Sequence, residues 1–311
     1  MAFFLALDVG GTKTDYVLAD ETRELARVRT GTIKRLRTDA RTATANLERA
    51  LAELTASTGV SMASITRTCV GTAGESVPLV SDWLRESITA RVSGELILIG
   101  DVEIALDAAF HGGAGVLAMA GTGSNVAGRA DDGKLTTAGG WDPALSDQGS
   151  GHRIGLEELR AAFLAKDEGR STLLLDAALE FWQIASLDML VEYANSNPEP
   201  DFSRLTDVIL CCAYRGDEVA AAVLRKEGED LAWLVRLVIR RLQAASAEAG
   251  SSEPYTPPTL AFTGSIMEKV QPVRDPLIAA IRKEFPAIYT LDGVIDPLAG
   301  AVWRARTGGH A

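Results

Sequence analysis

The chain has 311 residues, 47% of them apolar and 23% charged, and a formal net charge of −11. That length can bury a large core and suits two ordinary domains better than one. The acidic balance argues against nucleic acid and anionic membrane surfaces as partners, because phosphate contacts need clustered Lys and Arg. Three cysteines, Cys69, Cys211 and Cys212, are too few and too poorly spaced for a zinc or iron–sulfur site. Cys211 and Cys212 read as buried thiols of one helix. The apolar start, residues 1–7, is short, lacks a basic flank and runs into Asp8, so it reads as a buried strand. No run reaches membrane-spanning length, and the expected location is the cytoplasm.

Residues 3–9, 15–19 and 25–29 read as three antiparallel strands, with a turn at Asp20, Glu21 and Thr22. A helix follows over 42–57, with Leu47, Leu51 and Leu54 on one face. A strand over 66–70 ends at Gly71, and a helix covers 77–90. The strand at 96–99 then delivers Asp101 at its carboxyl end. This alternation predicts a mixed sheet covered by helices. The glycines at 112, 113 and 115 mark the boundary before a second half. Strands near 116–120, 126–129 and 135–138 open that half, and a loop over 141–150 follows. A helical run extends over 151–249, longest at 225–245, with breaks at 195–198 and 215–217. A polar loop over 250–258 leads to strands at 259–263 and 287–291 flanking a helix at 276–284. A last helix covers 297–306.

Two stretches carry the chemistry. In the first, an apolar strand ends on Asp8, then come Gly10, Gly11, Thr12, Lys13 and Thr14, and a second apolar strand leaves. Glycines let backbone N–H groups approach a phosphate, Thr12 and Thr14 can donate to its oxygens, and Asp8 can hold hydrated Mg²⁺. Lys13 is either a point charge for a phosphate or a solvated hairpin lysine. No Gly-Lys-Ser/Thr opens a helix, so this is not a Walker A loop. The second stretch repeats the design with Gly121, Thr122, Gly123 and Ser124 between apolar strands. Two such hairpins suggest two halves of one architecture, each offering a phosphate loop to a shared cleft.

Together with the Gly264-Ser265 turn after the strand at 259–263, these hairpins resemble the phosphate 1, phosphate 2 and adenosine motifs of the actin, sugar kinase and heat-shock ATPase superfamily. Within it, the order of Gly71-Thr72-Ala73-Gly74, Gly100-Asp101, Gly139-Gly140-Trp141 and Ser146-Asp147-Gln148-Gly149-Ser150 resembles the N-acetylglucosamine kinase family. The resemblance covers nearly the whole chain. It implies an α/β protein of two ribonuclease-H-like domains with a cleft between them. The first domain would be 1–112 plus the C-terminal helix 296–311, and the second 113–295 with a helical insertion. It implies ATP-dependent phosphorylation of a sugar hydroxyl, most simply of N-acetylglucosamine or glucosamine, with ATP and Mg²⁺ as cofactors. Homodimers are frequent among the related enzymes.

The residue roles follow the matching motifs. Asp101 is the candidate catalytic base; read without the resemblance, it is equally an N-cap aspartate of the helix that it opens. Asp8 is the metal candidate. Gly10, Gly11, Thr12, Lys13, Thr14, Gly121, Thr122, Gly123, Ser124, Gly264 and Ser265 are the nucleotide candidates. Gly71, Thr72, Ala73, Gly74, Gly140, Trp141 and Asp147 line the expected sugar pocket. His111 and His152 stand alone and read as non-catalytic. Two departures stand out: Gln148 replaces the usual Glu, and the loop over 30–37 lacks the usual asparagine but carries Lys34, Arg35 and Arg37. That loop is either a solvated basic face or a pocket changed for an anionic or non-acetylated sugar. The competing functions are an ATPase that drives a redox partner, which these cysteines serve poorly, and a non-catalytic sugar or nucleotide sensor.

Overall fold

The computed structural model describes residues 1–141, 143–248 and 255–309. Asp142 of the expected pocket loop, much of the polar loop over 250–258 and the last two residues lie outside them. The chain divides into two compact units, one of Met1–Gly115, Asp131–Gly133 and the stretch from Ile295 onward, the other of Val116–Ala130 and Lys134–Val294.

The first unit contains β1 (Phe3–Val9), β2 (Lys13–Ala19), β3 (Glu24–Gly31), α1 (Ala40–Thr58), β4 (Ile65–Thr72), α2 (Pro78–Thr89), β5 (Glu95–Ile99) and α3 (Asp101–Phe110). Its sheet runs β3-β2-β1-β4-β5. The first three strands pair antiparallel, and β4 and β5 are parallel to β1. The two-residue period of β1 divides its side chains between two cores. Leu5, Leu7 and Val9 pack with Leu47, Leu54, Leu84 and Ile88 from α1 and α2. Phe4 and Ala6 face Ile104, Leu298, Ala301 and Ala305 from α3 and the terminal helix, Pro297–Thr307. Each fully buried leucine contributes about 1.5–3 kcal/mol. Asp39 caps α1 by accepting from the Thr42 N–H at 3.0 Å. The terminal helix lies so close to α3 that a Cβ on Gly300 would stand 1.8 Å from the Ile104 carbonyl oxygen. The fully buried Asp107 accepts from Arg304 Nε at 2.6 Å across the same contact.

The second unit contains β6 (Gly115–Ala120), β7 (Ser124–Arg129), β8 (Leu135–Gly139), α4 (Gly151–Asp167), α5 (Leu174–Trp182), α6 (Leu187–Ala194), α7 (Thr206–Tyr214), α8 (Glu218–Glu248), β9 (Leu260–Thr263), α9 (Ser265–Lys269) and α10 (Gln271–Arg282). Its sheet runs β8-β7-β6-β9, with β9 parallel to β6. The design of the first sheet thus recurs without its fifth strand. The strand expected over 287–291 is reduced to a bridge between Leu260 and Thr290. Pro286 lacks a donor before it, and Gly293 turns the chain away with a φ of 70°. Gly228 lets α10 rest on α8, since a Cβ there would lie 2.2 Å from the Val273 carbonyl oxygen.

Three further expectations are corrected. The helix expected at 276–284 begins at Gln271, with Pro272 in its first turn and Pro276 inside it. Cys212 is buried as expected, but its neighbour Cys211 is exposed, because adjacent residues lie on different faces of α7. Asp101 is not the N-cap of α3. That position belongs to Gly100, and Asp101 is the first helical residue.

Candidate active site

In the first unit, register brings the candidate residues to one end of the sheet. Asp8 on β1 pairs with Gly71 on β4, and Gly71 pairs with Ile99 on β5. Strands about 4.8 Å apart therefore carry Asp8, the 71–74 turn and Asp101 in one row. Gly71 is buried, and a Cβ there would meet Ile104 Cδ1 at 2.2 Å. The Thr72 hydroxyl is buried and donates to the Val9 carbonyl at 3.1 Å, so it braces the row rather than facing outward. Ala73 and Gly74 are half-buried. Asp101 accepts from the Val102 N–H at 2.9 Å. Burial raises its pKa, Lys34 and that hydrogen bond lower it, and Glu75 raises it.

The Asp8 side chain is half-buried and forms no hydrogen bond or ion pair with a described residue. Burial and then the charges of Asp101, Asp15 and Asp296 push its pKa up to about 7, against the opposing charge of Lys13. Asp15 is already paired with Arg29 at 2.5 Å, and Asp296 with Arg27 at 2.7 Å. Asp8 is thus a carboxylate among carboxylates that Lys13 offsets only in part, which fits a site for a divalent ion. Among the described residues no three His, Cys, Asp or Glu side chains cluster as a complete protein cage.

The first hairpin presents Gly11, Thr12 and Lys13 to solvent, with Gly10 half-buried and its N–H donating to the Lys13 carbonyl at 3.0 Å. Thr14 is turned away from this surface. It is fully buried, and its hydroxyl accepts from the Ile33 N–H at 3.2 Å. The loop after β3 is fastened to the hairpin by further bonds. Thr32 N–H donates to the Thr12 carbonyl at 3.2 Å and its hydroxyl to the Gly10 carbonyl at 2.6 Å. An asparagine does reach this loop, but from α1: Asn46 Nδ2 donates to the Thr32 carbonyl at 3.1 Å.

In the second unit, three motifs converge on Gly121. Its carbonyl accepts from the Gly151 N–H at 2.7 Å, and a Cβ on it would lie 3.9 Å from Ser265 N and Oγ. Gly264 has a φ of 96°, and a Cβ there would stand 2.2 Å from the Ala120 carbonyl oxygen, so only glycine fits. Thr122 and Gly123 are exposed. Ser124 is buried, and its hydroxyl donates to the Gln148 carbonyl at 2.8 Å. Asp147, 4% exposed, sits beneath this hairpin with a φ of 71° and accepts from the Ser124 N–H at 3.3 Å. A non-glycine residue is held in that region by the contacts around it, here the Ser124 N–H. Gly140 turns with a φ of 74° beside Asn125, and Trp141 is 71% exposed, so it is not a core residue. His111 and His152 rest against the Trp303 and Phe202 rings, and among the described residues neither joins a group that could hold a metal.

Two acidic residues escaped the sequence reading. Glu227 on α8 is buried and accepts from the Gly149 N–H at 2.9 Å, holding the loop that carries Asp147. Its signal was available: Val223, Leu224, Glu227, Gly228 and Leu231 place a carboxylate on the apolar stripe of the helix. Glu75 approaches Gly100 from the 71–74 turn, with its carboxyl carbon 3.7 Å from a Cβ built there. Nothing in its immediate sequence announces that role.

Comparison with known proteins agrees with this geometry. The chain is 25% identical over 325 residues to an N-acetylmuramic acid/N-acetylglucosamine kinase of Clostridium acetobutylicum, covering 99% of each. It is 27% identical to an N-acetyl-D-glucosamine kinase of Dictyostelium discoideum, covering 96% of each. Among solved structures, a candidate N-acetylglucosamine kinase from Chromobacterium violaceum superposes with a TM-score of 0.72 at 25% identity, over 97% of this chain and 98% of that one. A glucokinase from Streptomyces griseus, solved with glucose and AMPPNP, shares the fold at a TM-score of 0.58 and 16% identity, over 99% of this chain and 100% of that one. The two-sheet α/β architecture is that of the actin-like ATPases to which such sugar kinases belong. The BadF/BadG/BcrA/BcrD ATPase family matches residues 5–305, and the chain belongs to that family.

Proposed function

We propose that this protein transfers the terminal phosphoryl group of ATP to a hydroxyl of an amino sugar, N-acetylglucosamine or glucosamine in the simplest case. The observation that carries the reading is the row formed by Asp8, the 71–74 turn and Asp101 across three paired strands. It brings two carboxylates and a small-residue turn together within one unit, next to an exposed glycine hairpin, which supports a reading of Asp101 as base and Asp8 as metal site. The relatives named as amino-sugar kinases supply the acceptor class.

In this reading Asp101 accepts the proton of the sugar hydroxyl as its oxygen bonds to phosphorus and the bond to the ADP oxygen breaks. Burial serves this role, since a carboxylate with a raised pKa is a stronger base. The 71–74 turn leaves room for the sugar ring, and the backbone N–H groups of Gly11 and Thr12 hold phosphate oxygens, while that of Gly10 closes the turn on Lys13. Asp8 would hold Mg²⁺ through water. When bound, Mg²⁺ neutralises charge on the phosphate oxygens. In the second unit, Thr122, Gly123, Gly264 and Ser265 are the residues assigned to the nucleotide, and Gly140 and Trp141 are its candidates for the acceptor. Asp147 acts by positioning Ser124 and the second hairpin. The same reading places the protein in the cytoplasm, where ATP and reduced cysteines coexist; no described helix is long and apolar enough to cross a membrane.

The test is ADP release and phosphosugar formation from purified protein, ATP, Mg²⁺ and a panel of neutral, amino and acidic hexoses. Stimulation by an amino sugar supports the proposal. Absence of stimulation by every sugar, with basal turnover untouched by Asp101→Asn, would falsify it.

A further inference from the structure

The second hairpin is oriented from behind, by the stretch that opens α4. The Gly121 carbonyl accepts from the Gly151 N–H at 2.7 Å, and the Thr122 carbonyl from the His152 N–H at 3.2 Å. In a trans peptide the carbonyl and the following N–H point in opposite directions. These two bonds therefore turn the Thr122 and Gly123 N–H groups away from α4, and both residues are exposed. One peptide just before α4 is gripped on both sides. The Gln148 carbonyl accepts from the Ser124 hydroxyl at 2.8 Å, and the Gly149 N–H of the same peptide donates to Glu227 Oε2 at 2.9 Å. A relay of hydrogen bonds thus runs from α8 through one peptide plane to the hairpin. Gly149 comes close enough to join it because it lacks a side chain: a Cβ there would lie 2.9 Å from Leu231 Cβ. The flanking backbone does not hold this shape by itself. Asp147 has a φ of 71° and Gly149 a φ of 77°, and a strained non-glycine residue persists only where its surroundings fix it. Glu227 is 1% exposed, and its other oxygen, Oε1, faces Arg153 Nε at 3.8 Å. Arg153 also has Glu157 at 3.2 Å, so it does not depend on Glu227 for a counter-charge.

We propose that Glu227 is a positioning residue for nucleotide binding: by holding the Gln148–Gly149 peptide it fixes Ser124 and the start of α4, and so aims the Thr122 and Gly123 N–H groups at phosphate. This rests on the reading above only through the assignment of the second hairpin to the nucleotide. Gly151 and His152 follow the gripped peptide within three residues, so one anchor serves both the hydroxyl and the two carbonyl contacts. Glu227 acts through the peptide and not on a reacting group, so its effect falls on nucleotide affinity and spares the acceptor. What the peptide requires is an acceptor at the reach of a glutamate; the negative charge is secondary.

The experiment separates reach from charge in the full chain. Glu227→Gln keeps the reach and removes the charge, whereas Glu227→Asp keeps the charge and withdraws the acceptor by one methylene. Calorimetry with ADP and Mg²⁺ reads Kd, and coupled turnover reads the two KM values. Glu227→Gln should bind ADP within about threefold of wild type, and Glu227→Asp about tenfold more weakly. In turnover, Glu227→Asp should raise the KM for ATP and leave the KM for the sugar in place. Ser124→Ala removes the other grip on the same peptide and should weaken ADP about fivefold, which keeps the test open if Glu227→Asp fails to fold. The double variant should bind within about threefold of the weaker single one, because both act through one peptide. Equal Kd values for wild type and Glu227→Asp, a larger loss in Glu227→Gln than in Glu227→Asp, or single effects that multiply in the double variant would each overturn the proposal. So would a rise of both KM values together with a lowered urea midpoint, which would make Glu227 a stability residue. ADP binding that follows the expected series without phosphorylation of any sugar would remove the acceptor reading and leave this one standing. A wild type that binds no nucleotide would remove both.

Discussion

The two glycine hairpins are alike as sequence and different as chemistry. Before the first stands Asp8, and the tip is exposed and flanked by the Lys34 and Arg37 loop. Before the second stands Ala120, and the turn is locked from below by Asp147, Gln148, Gly151 and the Gly264-Ser265 turn. One hairpin stands open beside charged groups; the other is a packed shelf. The difference extends to acidic side chains. In the first unit, acids gather at the sheet end, whereas in the second Glu158 and Glu227 are buried on helix stripes. A phosphate loop is thus defined by what stands behind it more than by its own glycines.

The sharpest way to break this contrast is Asp101→Asn. If the first sheet end carries the chemistry, kcat should fall about 10²–10⁴-fold, with the unfolding midpoint kept, as read by coupled ADP release and urea denaturation. A loss below tenfold would move the base elsewhere. Next in size is Gly264→Ala, which drives a methyl into the Ala120 carbonyl at a φ of 96° and should cost on the order of 3 kcal/mol. Gly11→Ala at the open first tip should stay within about 0.5 kcal/mol. Equal costs in urea unfolding would erase the distinction between shelf and open tip.

The buried acids offer a pH test. Burial, with Asp217 adding to it, pushes Glu158 up to about 9, and neither of its carboxyl oxygens has a hydrogen-bond partner. Between its unfolded value and 9 the folded state holds a proton that the unfolded chain releases. Stability from this group is therefore complete at low pH and lost as pH rises through 9, by up to ~1.4 kcal/mol per unit. Glu158→Gln should flatten that slope, so its stability advantage over wild type should grow between pH 6 and 9 in chemical denaturation. Parallel curves would mean that Glu158 is ionised in the fold. The smallest effect separates two threonines of one hairpin. Thr14→Val leaves the Ile33 N–H without its acceptor and should cost about 1–2 kcal/mol with little change in the KM for ATP. Thr12→Val should do the reverse, raising that KM several-fold in an unshifted fold.

Much of the architecture was legible because strands and helices here obey their own periods. β1 was placed at its observed bounds, since an alternating apolar run closes on Asp8 and glycine. The long α8 was recognised over its amphipathic part and proved longer at both ends. The strand expected at 287–291 failed because pairing requires a neighbour as well as an apolar run, and only Thr290 meets one.

The sequence by itself determined the elements, the two glycine hairpins and the position of Asp101 at a strand end, because spacing along a chain is local information. Only the tertiary structure decided what those residues face. It turned the Thr14 hydroxyl inward, set Asp147 under a hairpin, brought Asn46 from a helix to the loop and joined Asp8 to Asp101 through the register of three strands. Those outcomes depend on contacts between residues far apart in sequence, and burial and field at each carboxylate arise from all of them together.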